Sequence, residues 1–243
     1  MARLSVDLGE ACLHFTDRVI RDLPCTDIQC DEVWAFVGCK QANAGDGERE
    51  RGDCWTWIAI DRQTKLIPAW YSGDRSAVSA YRFLMDLAPR LKHRVQLSTD
   101  GHTAYLQAVN AAFNNMRVDY GMLVKLYGEG GEGKYSPGEC IGARKDVIRG
   151  HPAPESICTS HAERNNLTVR MSVRRFTRLT NAFSKKLRNH RLAVAVHFTH
   201  YNFCRIHQTT RVTPAMAAGL SDHVWELSEL ISLLVAEEAQ LAA

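Results

Sequence analysis

Residues 28–38 read IQCDEVWAFVG, and the reading of this stretch decides the fold. It is rich in β-branched and aromatic residues and stops at Gly38, which is how a strand is written. Side chains alternate along a strand. Ile28, Cys30, Glu32, Trp34 and Phe36 therefore share one face, and Asp31, Val33, Ala35 and Val37 share the other. Asp31 stands in an otherwise apolar row, where an unpaired carboxylate is costly. The bland alternative is a strand residue facing solvent.

Working outward, QANAGDGERERGD (41–53) is polar and Gly-containing, a solvated loop. DCWTWIAID (53–61) and TKLIPAWYSG (64–73) read as two further strands of an antiparallel meander. SAVSAYRFLMDLAPRL (76–91) reads as a helix with Ser76 as its N-cap. RVQLSTD (94–100) is a short strand ending at Asp100, HTAYLQAVNAAFNN (102–115) a helix, and RVDYGMLVKLY (117–127) a fifth strand. Residues 128–158 hold seven of the sixteen Gly and three of the seven Pro, so they read as an irregular excursion with a short hairpin around IGARKDVIRG. Upstream, Leu4, Leu8, Cys12, Phe15, Val19 and Leu23 form the stripe of a helix over residues 2–22, ended by Pro24. Three meander strands followed by alternating helices and strands is the topology of the RNase H-like fold. The expected architecture is α/β, a mixed five-stranded sheet flanked by helices, with N- and C-terminal helical extensions.

After Glu163 no Asp or Glu appears until Asp222, and eleven Lys and Arg fall in that gap. Leu167, Met171, Phe176, Leu179 and Phe183 recur at helical steps, which predicts a long basic helix with those residues as its buried face. A second helix over about 188–204 follows, then a Pro- and Gly-marked segment, then an acidic amphipathic helix over the last twenty residues. A charge run taken alone is a solvated face. The net charge is only +3, so the basic character is segregated, and segregation points to nucleic acid more than the total does.

The eight Cys form no CxxC pair, which speaks for free thiols and against zinc. No apolar run approaches the roughly 20 residues a membrane span needs. These features predict a soluble, intracellular protein. His102, His161, His197, His200 and His207 invite a metal or acid/base reading, but packing or phosphate hydrogen bonds explain His197, His200 and His207 as well, and Trp55, Trp57 and Trp70 read as sheet core rather than base-stacking platforms.

In the expected topology the first strand's middle, the fourth strand's end and the helix after the fifth strand converge. They carry Asp31, Asp100 and Glu163. Asp100 alone, in STDGH, also reads as a turn residue. Three converging carboxylates repel one another unless cations neutralise them. Hard divalent ions with oxygen ligands do so, and a pair roughly 3.5–4 Å apart serves phosphoryl transfer.

CDEVWAFVG, STDGHTAY and HAERNNLTVRMSVRRFTRLTNAFSKK resemble the three acidic motifs of the insertion-sequence-one family of bacterial DDE transposases. YNFCRIHQTTRVTPAMAAG resembles the segment that closes their catalytic domain. The resemblance implies that Asp31, Asp100 and Glu163 are catalytic ligands of two Mg2+ ions, with Mn2+ able to substitute. It implies metal-dependent cleavage and strand transfer of an insertion sequence. Arg170, seven residues after Glu163, is then expected to reach a DNA phosphate or terminal base near the metals. Arg164, Arg174, Arg175, Arg178, Lys185 and Lys186 complete the expected DNA-binding set. The expected partners are element ends, target DNA and further copies of the chain in a synaptic dimer or higher oligomer, with no membrane. The expected location is the bacterial cytoplasm, at the nucleoid.

Members of that family usually carry an N-terminal helix-turn-helix, and Met1 falls where its last turns would be. The expected division is a helical remnant and linker over 1–25, a catalytic domain over 26–210 with the excursion at 128–158, and a helical tail over 211–243. Two alternatives stand beside the transposase reading: a truncated DNA-binding or inhibitory remnant, and a structure-specific nuclease of the same fold.

Overall fold

The computed structural model describes residues 2–45, 50–113, 117–128, 139–177 and 181–241. The strands are β1 (Asp27–Val37), β2 (Gly52–Asp61), β3 (Trp70–Gly73), β4 (Val95–Asp100), β5 (Val118–Tyr127) and β6 (Cys140–Arg149). The helices are α1 (Ala2–Val19), α2 (Ala77–Leu87), α3 (Ala104–Ala112), α4 (Ser160–Ser172), α5 (Leu187–Phe203), α6 (Pro214–Ala217) and α7 (Leu227–Leu241). The strands make one sheet in the order β3-β2-β1-β4-β5-β6. β1, β2 and β3 pair antiparallel, while β4 runs parallel to both β1 and β5. That order and those senses are the RNase H-like arrangement.

Both faces of the sheet are covered, as a central strand apolar on both sides requires. One face carries Ile28, Cys30, Trp57, Ala59 and Leu97 against Phe83, Leu84 and Leu87 of α2 and Tyr105 and Val109 of α3. The other carries Val33, Ala35, Ile58 and Ile60 against Ala162 and Val169 of α4, Phe176, and Val194, Phe198 and Tyr201 of α5. α1 lies on α5, and a Cβ on Gly9 would come within 2.6 Å of Leu192, so only glycine lets these two helices approach so closely. Among the described residues no helix is long and apolar enough to cross a membrane.

The structure departs from expectation in four elements. The sheet has six strands rather than five. The expected hairpin around IGARKDVIRG is a single edge strand, β6, paired antiparallel to β5. Most of its side chains are exposed, so it shows no alternating apolar pattern. The third strand covers only Trp70–Gly73 of the expected 64–73. Pro68 has no N–H to give a ladder, and Ile67 bonds instead to the Asn202 side-chain amide through both its N–H and its carbonyl, at 3.0 Å each.

The long basic helix is the fourth. α4 stops at Ser172, because Val173 is extended, with φ −112° and ψ 102°. A single turn over Arg174–Phe176 then drops Phe176 into the core, 1% exposed. Leu167 and Met171, expected on the buried face, are 46% and 78% exposed. The helix instead buries Ala162, Asn165 and Val169. Its phase is set at its start, where the Gln29 side chain on β1 accepts from His161 N–H at 2.8 Å. Leu179 and Arg178 lie outside the described residues.

Candidate active site

β1 and β4 stay in register only as far as the pair Gln29 and Ser98, and then they splay apart. Two residues further along each strand stand Asp31 and Asp100, at one level of the opening. The C-terminal edge of parallel strands is where such sheets place their sites. Glu163, near the start of α4, lines the same cleft, whose volume is about 520 Å³. The remaining walls include Arg75, His102 and Lys125.

The three expected carboxylates are held differently. Asp31 accepts from the Glu32 amide at 2.8 Å and from Asn166 Nδ2 at 2.9 Å. Asp100 accepts from the His102 amide at 3.0 Å. Glu163 Oε1 accepts from Lys125 Nζ at 2.7 Å and from Thr159 Oγ1 at 2.6 Å. Oxygens of Asp31, Glu32 and Asp100 all lie within 4.8 Å of one another. Glu163 stands outside this closest group, drawn toward Lys125.

Glu32 is thus a fourth carboxylate of the site. Its side chain is fully buried, and Arg75 reaches it with Nε at 3.2 Å and an Nη at 3.1 Å. The same guanidinium lies 3.8 Å from Asp100 and sits over the Trp55 ring at 4.6 Å from its centroid. Trp55 therefore orients an arginine of the cleft rather than only filling the sheet. Glu32 Oε1 is buried and makes no full hydrogen bond. The neighbouring Tyr105 hydroxyl stabilises the Glu32 carboxylate somewhat, at a geometry short of a full bond.

Crowding shows in the acid constants. Burial, and then repulsion from Asp100 and Glu163, push the Asp31 carboxyl up to about 7 against the pull of the Glu32 amide and Lys125. Burial and the charges of Asp100 and Asp31 push Glu32 up to about 7, with Arg75 opposing. A cation in the cleft relieves all of these repulsions together. The donors are all carboxylate oxygens, and Glu32 Oε1 is a buried oxygen short of a partner. That set suits a hard divalent cation of the Mg2+ or Mn2+ kind.

The expected DNA-binding residues do not form one surface. Arg164 is exposed and lines a separate pocket with Lys65. Arg170 does not extend toward the cleft: it donates to the Phe176 carbonyl at 3.0 Å and so closes the end of α4. Arg175 is half-buried and donates to Ser184 Oγ at 2.8 Å. Arg174, Lys185 and Lys186 are exposed. Burial first, then the His200 and Arg205 charges, push His197 down to about 4, and its ring packs against Phe198.

Glu32, Arg75, Lys125 and Asn166 are the site residues that sequence reasoning passed over. For Glu32 the signal was present, since it too interrupts an apolar strand face. Lys125 and Asn166 become visible only when β5 and α4 are placed.

Comparison with known proteins adds three findings. Residues 50–122 match a family model described as a DDE domain. No curated protein matches the chain. Among solved structures, endonuclease V from Streptomyces avermitilis is similar at 11% identity, over 76% of this chain and 91% of that one. The TM-score of that likeness is 0.27. The family match includes Asp100, Arg75 and the Trp55 beneath it, and does not include Asp31, Glu32 or Glu163; it supports a DDE transposase domain.

Proposed function

We propose that this chain is the catalytic domain of a DDE transposase of the insertion-sequence-one type, which cuts DNA and joins the freed 3′ end to a target. The observation that carries the reading is the meeting of Asp31, in the middle of β1, with Asp100, at the end of β4, where the two strands part, with Glu163 on the wall of the same cleft. The DDE-domain match supports a DDE transposase, and the motif resemblance alone supports the insertion-sequence-one type.

In this reading Asp31, Asp100 and Glu163 would hold two divalent ions, Mg2+ by preference, and Glu32 would add an oxygen beside them. Such ions, when bound there, would supply polarisation of a phosphodiester and activation of water or a 3′-hydroxyl as nucleophile. The chain's own groups prepare that cleft. Asn166 and the Glu32 amide fix the Asp31 carboxylate, and Lys125 with Thr159 fixes Glu163. Lys125 and Arg75 line the cleft as its cations and face a phosphate entering it. Exposed Arg174, Lys185 and Lys186 supply contacts to the DNA backbone, which give affinity without reading sequence. Element ends, target DNA and a second copy of the chain are the partners of this reaction, carried out in the bacterial cytoplasm.

Asp31→Asn, Asp100→Asn and Glu163→Gln each remove a negative ligand and keep the shape. Each variant is expected to lose Mg2+-dependent cleavage of labelled DNA while its circular dichroism and melting temperature hold or rise. Full activity in any one of them takes that residue out of the site.

A further inference from the structure

Glu163 points to one side of α4, and a second pocket opens on the other. At 3.6 residues per turn, His161, Arg164, Asn165 and Thr168 cluster on the face turned away from Glu163. They line a pocket of about 490 Å³, closed by Lys65 and by Arg205 and His207 from the segment after α5. No Asp or Glu is among the described residues that line it. Lys65 is placed there at a cost, with a left-handed φ of 66° and only 7% of its surface exposed. Its ammonium donates to the Arg62 carbonyl and lies 3.4 Å from His161 Nδ1. Asn165 is 3% exposed, yet neither its amide nitrogen nor its amide oxygen has a hydrogen-bond partner. A buried amide left unpaired at both ends forfeits its hydration with nothing in return, and here it faces a cavity. The start of α4 is not the attraction, because Gln29 already takes the His161 amide. Burial, with the charges of Lys65 and Arg205, holds His207 below its usual range.

We propose that this pocket binds a backbone phosphate of the DNA strand that runs past the acidic cleft, with Arg164, Arg205 and Lys65 as its cations and Asn165 as a neutral donor. The identity of the anion rests on the DNA-cleaving reading above; the pocket's cationic, half-enclosed character does not. α4 is about 10–12 Å across, and a strand advances about 3.4 Å per nucleotide. A strand that crosses α4 along its width therefore sets a phosphate a few nucleotides from the one in the cleft over the pocket. Such an anchor holds the strand on both sides of α4 and fixes which bond meets the carboxylates.

The test measures binding without catalysis. A short labelled duplex is titrated in EDTA at several salt concentrations against the wild type, Arg205→Gln, Arg164→Gln and Asn165→Ala. Arg164 and Arg205 are exposed, so their variants are expected to fold. Each arginine variant should bind more weakly and flatten the slope of log K against log salt, by up to about 0.9, the release expected for one phosphate. Asn165→Ala should weaken binding with the slope unchanged. Unaltered affinity and slope in both arginine variants overturn the proposal. Calorimetry with inorganic phosphate separates the sources: phosphate binding lost in Arg205→Gln with DNA affinity intact would assign the pocket to a free anion and overturn it too. Cleavage with Mg2+, measured separately, reports on the catalytic reading. A protein that never cuts but shows the slope change keeps the pocket and loses the enzyme.

Discussion

At the scale of single residues the site is a balance between carboxylates that repel and cations that hold them. Asp31 and Glu32 are neighbours on opposite faces of β1, yet both reach the opening at its edge. Both are pushed up to about 7, chiefly by burial. Ordinary carboxyl values lie near about 4, so between about pH 4 and pH 7 the folded chain holds protons that the unfolded chain has released. The unfolded state then binds fewer protons, and stability falls as pH rises through that window. A divalent ion cancels the repulsion that grows there. The Mg2+-induced rise in melting temperature should therefore be larger at about pH 8 than at about pH 5. If Glu32 supplies an oxygen to the ion, Glu32→Gln shrinks the rise at the higher pH. Scanning calorimetry with and without Mg2+ checks both, and an undiminished rise in the variant removes Glu32 from the metal's neighbours.

At the scale of elements, α4 and the turn after it decide where the acidic and basic groups go. Phe176 anchors that turn in the core, and its carbonyl takes the Arg170 guanidinium. Phe176→Ala should cost about 3–5 kcal/mol, read as a lower denaturation midpoint, and should free Arg170 from its cap. A midpoint within error of the wild type would mean that the turn is held elsewhere. The same segment shows what was legible in the chain. β1, β2, β4 and β5 were readable because their β-branched and aromatic composition and the turns that bound them are local, and α2 announced itself by the Ser76 cap, whose hydroxyl accepts from the Ser79 amide. The position of Glu163 on a helix was readable too. The phase of that helix was not, because Leu167 and Met171 mimic a buried stripe while the bond from His161 to Gln29 turns them outward. Val173 carries no breaking signal of its own; it is extended because Phe176 has a place in the core. Asp31 could be suspected from its apolar row, and the same reasoning applied to Glu32 would have found it. Arg75 and Lys125 come from distant strands and loops, so nothing local marks them.

At the scale of the molecule the basic charges divide into those that face outward and those that hold the fold. Eleven Lys and Arg lie between Glu163 and Asp222. Arg170 and Arg175 are committed to internal bonds, Arg170 to the Phe176 carbonyl and Arg175 to Ser184 Oγ. Arg174, Lys185 and Lys186 are exposed, the two lysines just before the start of α5. A polyanion can release counterions only by meeting the outward group. The triple change of Arg174, Lys185 and Lys186 to Ala should therefore leave thermal stability nearly unchanged. It should flatten the salt dependence of DNA binding by as much as about 0.9 for each phosphate no longer neutralised. Arg175→Ala should do the reverse. It leaves Ser184 Oγ, a buried oxygen that also lies 3.2 Å from His190 Nδ1, without its charged donor. Removing a hydrogen bond to a charged group costs about 1.5–3 kcal/mol, so its melting temperature should fall while its salt slope stays that of the wild type. The two variants, compared by melting and by titration at several salt concentrations, test the division directly. If Arg175→Ala flattened the slope and the triple variant did not, the DNA would lie along the inner side of the turn at Arg174–Phe176, and the outward cations would be solvent charges alone.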